Sequence, residues 1–225
     1  MIVYKDNEIV VCEKPYGVSS QESSGENMVS LIEKSIGGQV FPVHRLDTQT
    51  TGLIVYARTK ASASELSRQI TEGKIEKSYL TICHGALSES GEMIDYLYHD
   101  RIKNKSFVVQ NKRKGSKDAR LSYACVSTKD LGECGTLSLL MIRLYTGRTH
   151  QIRVQLSSRG NPLYGDGKYG AKDNDKIALH SSYLSFFHPT TKKRLTFTSS
   201  PKDGIWSKLV NELKIAHEKW NEFMS

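Results

Sequence analysis

The sequence predicts an α+β fold: one domain on a mixed, largely antiparallel β-sheet with flanking helices. Three observations carry this expectation. Short runs rich in β-branched, aromatic and aliphatic residues fill the middle of the chain, as strands require. Helical spacing appears in separate stretches, without the regular alternation of a βαβ fold. No repeat period and no Pro/Ser/Gly linker divides the 225 residues, a length that suits one large domain over 1–225.

The elements follow from the N-terminus. Ile2–Tyr4 and Glu8–Cys12 read as two strands joined by the turn Lys5-Asp6-Asn7, and Pro15 and Gly17 then break the chain. Asn27–Ile36 reads as a helix, with Met28, Ile32 and Ile36 on one face, Asn27 as cap and Gly37-Gly38 as stop. Leu53–Ala57 is an apolar strand, followed by a helix over Thr59–Gly73 with Leu66 and Ile70 one turn apart. Strands are expected at Ile75–His84, Ser106–Gln110, Ala119–Ser127 and Thr136–Tyr145. Gln151–Arg159 reads as a short helix capped by Thr149 and ended by Gly160, and Gly165–Asp175 as a loop over a cleft. Ile177–His180, Tyr183–Phe187 and Arg194–Thr198 complete the strands. A last helix carries Trp206, Leu209, Leu213, Ala216 and Trp220 as a core-packing stripe.

Composition narrows the function. Hydrophobic residues at 38% and charged residues at 25% exclude a disordered polypeptide. The net charge of +8 favours a polyanionic partner, nucleic acid first and an anionic membrane surface second. No apolar run approaches the ~18 residues of a membrane span, and the first thirty residues lack a signal-peptide core. The four cysteines are far apart, with no C-x-x-C, and read as reduced thiols of a cytoplasmic protein. Gly165–Gly170 matches G-x-G-x-x-G, but no strand leads into it, so it reads as a turn and not a nucleotide site. Neither a phosphate-loop lysine motif, nor G-x-S-x-G, nor H-E-x-x-H is present, and no metal ligand is assigned.

Two polar segments interrupt otherwise foldable patterns. Pro42-Val43-His44-Arg45-Leu46-Asp47-Thr48-Gln49-Thr50-Thr51-Gly52 stands directly before the apolar strand, where a carboxylate can be held ionised and aimed into a cleft. Thr146-Gly147-Arg148-Thr149-His150-Gln151-Ile152-Arg153 stands where a strand gives way to a helix, and offers amides, two arginines and a histidine to an anion. On the residues alone, each reads equally as a capped turn with a surface salt bridge.

Together these segments resemble the RluA-like family of RNA pseudouridine synthases. The resemblance rests on His44-Arg45-Leu46-Asp47 with Thr51-Gly52-Leu53, and on Gly147-Arg148-Thr149-His150-Gln151-Ile152-Arg153. Lys14-Pro15-Tyr16-Gly17, Lys77-Ser78-Tyr79 with Gly85, Asn161–Asp166 with Tyr169-Gly170, Leu179-His180 and His188-Pro189 follow the family's blocks in order. The resemblance implies a pseudouridine synthase fold around a central active-site cleft, and an isomerase that turns uridines of rRNA or tRNA into pseudouridine. It implies Asp47 as the catalytic carboxylate, Arg153 as its basic partner and Tyr79 as the active-site aromatic. His44, Arg148 and His150 are then RNA-binding residues, and Arg45 takes the place of the flipped base. The N-terminal S4-type RNA-binding module of many relatives is expected to be absent. Val18–Ser24 lacks the apolar and proline pattern expected there.

The reaction breaks the C1′–N1 bond, turns the base and rejoins it through C5. Nothing is oxidised and no group leaves, so no cofactor and no metal is expected. Residues 101–120 hold eight basic residues and one acid. Lys112, Arg113, Lys114 and Lys117 within this tract are expected to meet RNA phosphates, the alternative being a solvated hairpin. A monomer acting on RNA is the resulting expectation. An inactive RNA-binding or ribosome-assembly factor on the same fold is the runner-up, and an RNA N-glycosidase is disfavoured for want of a second carboxylate.

Overall fold

Strands and helices succeed one another in a computed structural model that describes residues 1–224. In chain order they are β1 (Ile2–Lys5), β2 (Ile9–Lys14), α1 (Met28–Ile36), β3 (Phe41–Pro42), β4 (Thr51–Ala57) and α2 (Lys60–Thr71). Next come β5 (Glu76–His84), β6 (Ser90–Asp100), β7 (Lys105–Val109), β8 (Ser116–Asp130), β9 (Thr136–Leu144) and α3 (Gln151–Ser157). β10 (Leu179–Phe187), β11 (Arg194–Thr198), α4 (Val210–Glu218) and α5 (Trp220–Met224) close the chain. The expected mixed, mainly antiparallel α+β architecture is what forms. Chain contacts group the residues into two units, Met1–Lys77 with His180–Pro201, and Ser78–Leu179 with the chain from Lys202 onward.

In the first unit β4 is the central strand. It pairs antiparallel with β2 and β3, and parallel with β10 at Thr51–His180 and Gly52–Ser181. Ile9, Val11, Leu53, Val55, Leu184 and Phe186 are fully or almost fully buried there, with Leu66 of α2 packed on them. β4 reads as a continuous apolar run because Gly52–Ala57 are all buried, so side chains on both of its faces are covered. Gly52 has φ +102°, and a Cβ there would stand 2.3 Å from the Ser181 carbonyl oxygen, so only glycine allows this close approach. Asn27 caps α1 as expected. Its side chain accepts from the Ser30 amide, Ser30 reciprocates, and Gly37 closes the helix in the left-handed conformation.

In the second unit β5, β9, β8, β6 and β7 run antiparallel in that order. α3 covers one face, where Leu97, Ala119, Val154 and Tyr169 form a buried cluster. Four details depart from the sequence reading. β6 is a full strand that the sequence reading leaves unassigned. β10 is continuous across Ser181 and Ser182, because both serines are buried and the Ser181 hydroxyl donates to the Leu53 carbonyl (2.9 Å). The cap of α3 is His150 and not Thr149; His150 takes a left-handed turn (φ +56°) and gives no side-chain cap. The last helix is broken into a 3-10 turn (Gly204–Leu209), α4 and α5, while all five stripe residues remain buried. Among the described residues no helix is long and apolar enough to cross a membrane.

Candidate active site

Asp47 lies on the loop between β3 and β4, and the backbone on both sides of it is tied down. Before it, Leu46 is buried. Its amide donates to the Ser20 hydroxyl oxygen (3.1 Å), and that hydroxyl donates to its carbonyl (2.8 Å). The Tyr56 hydroxyl in turn donates to the Ser20 carbonyl (2.7 Å). After it, the Thr48 carbonyl accepts from the Gly17 amide (2.9 Å) and from the Lys14 ammonium (2.9 Å). The same ammonium donates to the carbonyls of Pro15 and Val18, both at 2.8 Å. Lys14 is only 1% exposed, so all three of its donors are spent on backbone oxygens that would otherwise go unsatisfied. Burial pushes its pKa down to about 8, while the negative charge of Asp47 works in the opposite direction. Asp47 itself is half-buried, and its carbonyl accepts from the Thr50 amide (2.9 Å).

The neighbours of Asp47 divide by exposure. Arg45 is exposed. His44 turns back towards β4, where its Nε2 accepts from the Val55 amide (3.2 Å). That bond leaves the ring proton on Nδ1, which is buried without a hydrogen-bond partner among the described residues. Burial, with the charge of Lys77 adding to it, pushes the His44 pKa down to about 3, so the ring is neutral at physiological pH.

α3 and its entry bring Arg148, His150 and Arg153 together. Arg153 is 3% exposed and forks onto Asp166, Nε to Oδ2 at 2.7 Å and Nη2 to Oδ1 at 2.8 Å. Its guanidinium also lies over the Tyr169 ring, 5.1 Å from the centroid. The Tyr169 hydroxyl bonds to Nδ1 of His150 (3.0 Å) and accepts from the Ser106 amide (2.8 Å). His150 is thus a buried member of a network that locks α3 against β7. Gln151 closes the preceding turn, its Oε1 accepting from Thr146 Oγ1 (2.8 Å) and from the Arg148 amide (3.0 Å). Arg148 is half-buried, and its Nε donates to the Asp118 carbonyl (2.8 Å). Tyr79 is 6% exposed on β5, beside Ile142 of β9.

Lys112, Arg113, Lys114 and Lys117 are all exposed in and after the β7–β8 turn. Lys112 pairs with Asp118 at 3.4 Å, and both side chains are open to water, so the pair contributes little to stability. Among the described residues no group of three or more His, Cys, Asp and Glu is placed to hold a metal ion. Lys14 and Asp166 stand within motifs whose pattern ties neither to a role, and Ser20 falls in the atypical segment Val18–Ser24. For Lys14 a signal exists: a lone lysine closing the apolar strand Ile9–Cys12.

Comparison with known proteins supplies the family. Residues 8–158 match the family model described as RNA pseudouridylate synthase. An uncharacterized RNA pseudouridine synthase of Mycoplasma pneumoniae is 32% identical over 99% of this chain and 74% of its own. The tRNA pseudouridine synthase C of Haemophilus ducreyi is 30% identical over 94% of both chains. The ribosomal large subunit pseudouridine synthase C of Buchnera aphidicola is 30% identical over 95% of this chain and 70% of its own. The fold is that of human RNA pseudouridylate synthase domain containing 1, with a TM-score of 0.76, 20% identity, and 95% of this chain and 94% of that one covered. A family match over two thirds of the chain and relatives about 30% identical over nearly all of it show that the protein belongs to the RluA-type RNA pseudouridylate synthases, isomerases that convert uridine in RNA to pseudouridine.

Proposed function

We propose that Asp47 carries the isomerisation, with Arg153 and Tyr79 as its partners. The carboxylate acts on a uridine that has left its stack, either as nucleophile towards C1′ or the uracil C6, or as base at the ribose. The C1′–N1 bond breaks, the uracil turns, a C1′–C5 bond forms, and the proton leaving C5 is balanced by one gained at N1. The observation that supports this reading is the fixed backbone of residues 46–48, which holds a half-buried carboxylate with little freedom to reorganise. Arg153, oriented by its fork on Asp166, supplies the positive charge of the reaction. Tyr79 stacks on the target base. Arg45, exposed and two residues before Asp47, fills the gap in the RNA.

RNA contacts in this reading extend to Arg148 and His150 at the entry of α3, and to Lys112, Arg113, Lys114 and Lys117. His44 serves them from behind, its ring turned onto β4 where it supports the turn that presents Arg45. The substrate is structured RNA, rRNA or tRNA, the two classes named among the relatives. The enzyme works in the cytoplasm as a monomeric single domain. It needs no metal or small-molecule cofactor, because the reaction has no net redox change and no leaving group. Asp47→Asn tests the centre of the proposal. The amide is isosteric but neither nucleophilic nor basic, so tritium release from [5-³H]uridine RNA falls to background while RNA affinity stays near wild type. Substantial single-turnover activity in this variant removes Asp47 from the chemistry.

A further inference from the structure

The sheet of the second unit has two unlike faces. Side chains alternate along each strand, and one set, including Met93, Leu97, Ala119 and Leu121, is buried, with Val154 of α3 packed on Leu97 and Ala119. Tyr79 points to the same side of the sheet, through the register Tyr79–Ile142–Tyr123. The opposite face carries aromatic side chains in successive rows. Tyr98 stands beside Phe107 in one row, and Ile94 beside Arg120 in another. Tyr145 continues the Arg120 row just beyond β9, its amide donating to the Arg120 carbonyl (3.1 Å). Ile94 is 66% exposed, Tyr145 46% and Phe107 36%.

Guanidinium groups lie over these rings. Arg113 is 4.5 Å from the Tyr98 centroid, while Arg120 and Arg143 are 4.6 Å and 5.5 Å from that of Tyr145. The acids on the face are engaged, Glu92 by Arg120 (2.6 Å) and Asp118 by Lys112 (3.4 Å). Arg113, Lys114 and Arg143 therefore leave it positive. Rings and planar cations on an open sheet suit unpaired bases, which stack on either, and a positive rim suits their phosphates. A duplex presents no base faces to such a surface.

We propose that this face, opposite Tyr79, is a second RNA site that stacks single-stranded nucleotides, with Tyr145 and Phe107 as its exposed rings. It extends the proposed RNA contacts and rests on the reading of the protein as an RNA enzyme. The test is binding of a short fluorescent oligouridylate to the full chain, by anisotropy over a range of salt. Tyr145→Ala and Phe107→Ala, both at exposed positions, should each weaken binding about fivefold to a hundredfold, the worth of one stacked base. Tyr145→Phe should stay within about twofold of wild type, since stacking needs only the ring. None of these variants should change the slope of log affinity against log salt, because the rings release no counterions.

No binding by wild type, affinities of both alanine variants within about twofold of it, or equal losses in Tyr145→Ala and Tyr145→Phe would each overturn the stacking site. Tritium release from structured RNA reports separately on Asp47. Ring-dependent oligouridylate binding without tritium release upholds the sheet site while the catalytic reading fails, and the reverse pattern sinks the sheet site alone.

Discussion

Ser20→Ala removes one hydroxyl and leaves two backbone groups of Leu46 without partners. The amide loses its 3.1 Å acceptor and the carbonyl its 2.8 Å donor. Ser20 and Leu46 are 2% and 4% exposed, so water does not readily replace either bond. Each buried group left unsatisfied costs ~1–3 kcal/mol, and partial relaxation of the loop puts the total at about 2–4 kcal/mol. For a chain of this length that corresponds to a fall in melting temperature of about 5–15 °C. Asp47 follows Leu46 directly, so the loosened backbone also misplaces the carboxylate. Misplacement by about an ångström can lower turnover roughly a hundredfold, and a loss of ten- to a hundredfold in kcat is expected with RNA saturating. Thermal unfolding and tritium release on the same preparation measure both effects, and Ser20→Cys, with a weaker donor, should fall between. A variant that melts within a degree or two of wild type refutes the bonding argument. One that melts early but keeps its kcat refutes the positioning role.

The remaining predictions concern charge. Asp166→Asn should lower stability by about 3–5 kcal/mol, because it breaks a buried fork and keeps the arginine in place, and Arg153→Met should cripple turnover; normal rates in the methionine variant would mean that Arg153 does not assist Asp47. The folded pKa of Lys14, about 8, lies below its ordinary value of 10.5, so this group alone makes stability rise between those pH values, by up to about 3 kcal/mol. Lys14→Met should remove that rise, and parallel stability curves for the two proteins between pH 7 and 10.5 would contradict the assignment. Changing Lys112, Arg113, Lys114 and Lys117 together to Gln should weaken RNA binding at low salt. It should also flatten the log–log salt slope by up to ~3–4 units on the duplex scale; an unchanged slope would make the tract a solvated hairpin.

What the sequence made legible was whatever a local pattern encodes. Asn27 and Thr59 mark helix starts through their side-chain oxygens and Gly37 a helix end through its left-handed backbone, and α1 and α2 lie within two residues of the expected bounds. β6 was illegible because Ile94, Tyr96 and Tyr98 make its open face as apolar as its covered one, which hides the alternation of a half-buried strand. β10 looked broken because paired serines resemble a turn, although tertiary contacts bury them and satisfy their hydroxyls. The candidate site divides the same way. Asp47 and Arg153 sit in contiguous motifs, whereas Ser20 contacts Leu46 across 26 residues and Asp166 meets Arg153 across 13. Pairings at that range leave no trace in local composition.

The anchoring of residues 46–48 has an evolutionary corollary. Every hydrogen bond described for the Leu46 and Thr48 backbone comes from Lys14, Gly17 or Ser20, with Tyr56 behind them, so its determinants are inherited as one short stretch of sequence. The exposed cations of residues 112–117 take no part in it. On the reading proposed above, substitutions there change how tightly RNA phosphates are held without disturbing the pose of Asp47. RNA affinity and chemical competence are then separately mutable traits, and a lineage can tune the first without passing through an inactive ancestor.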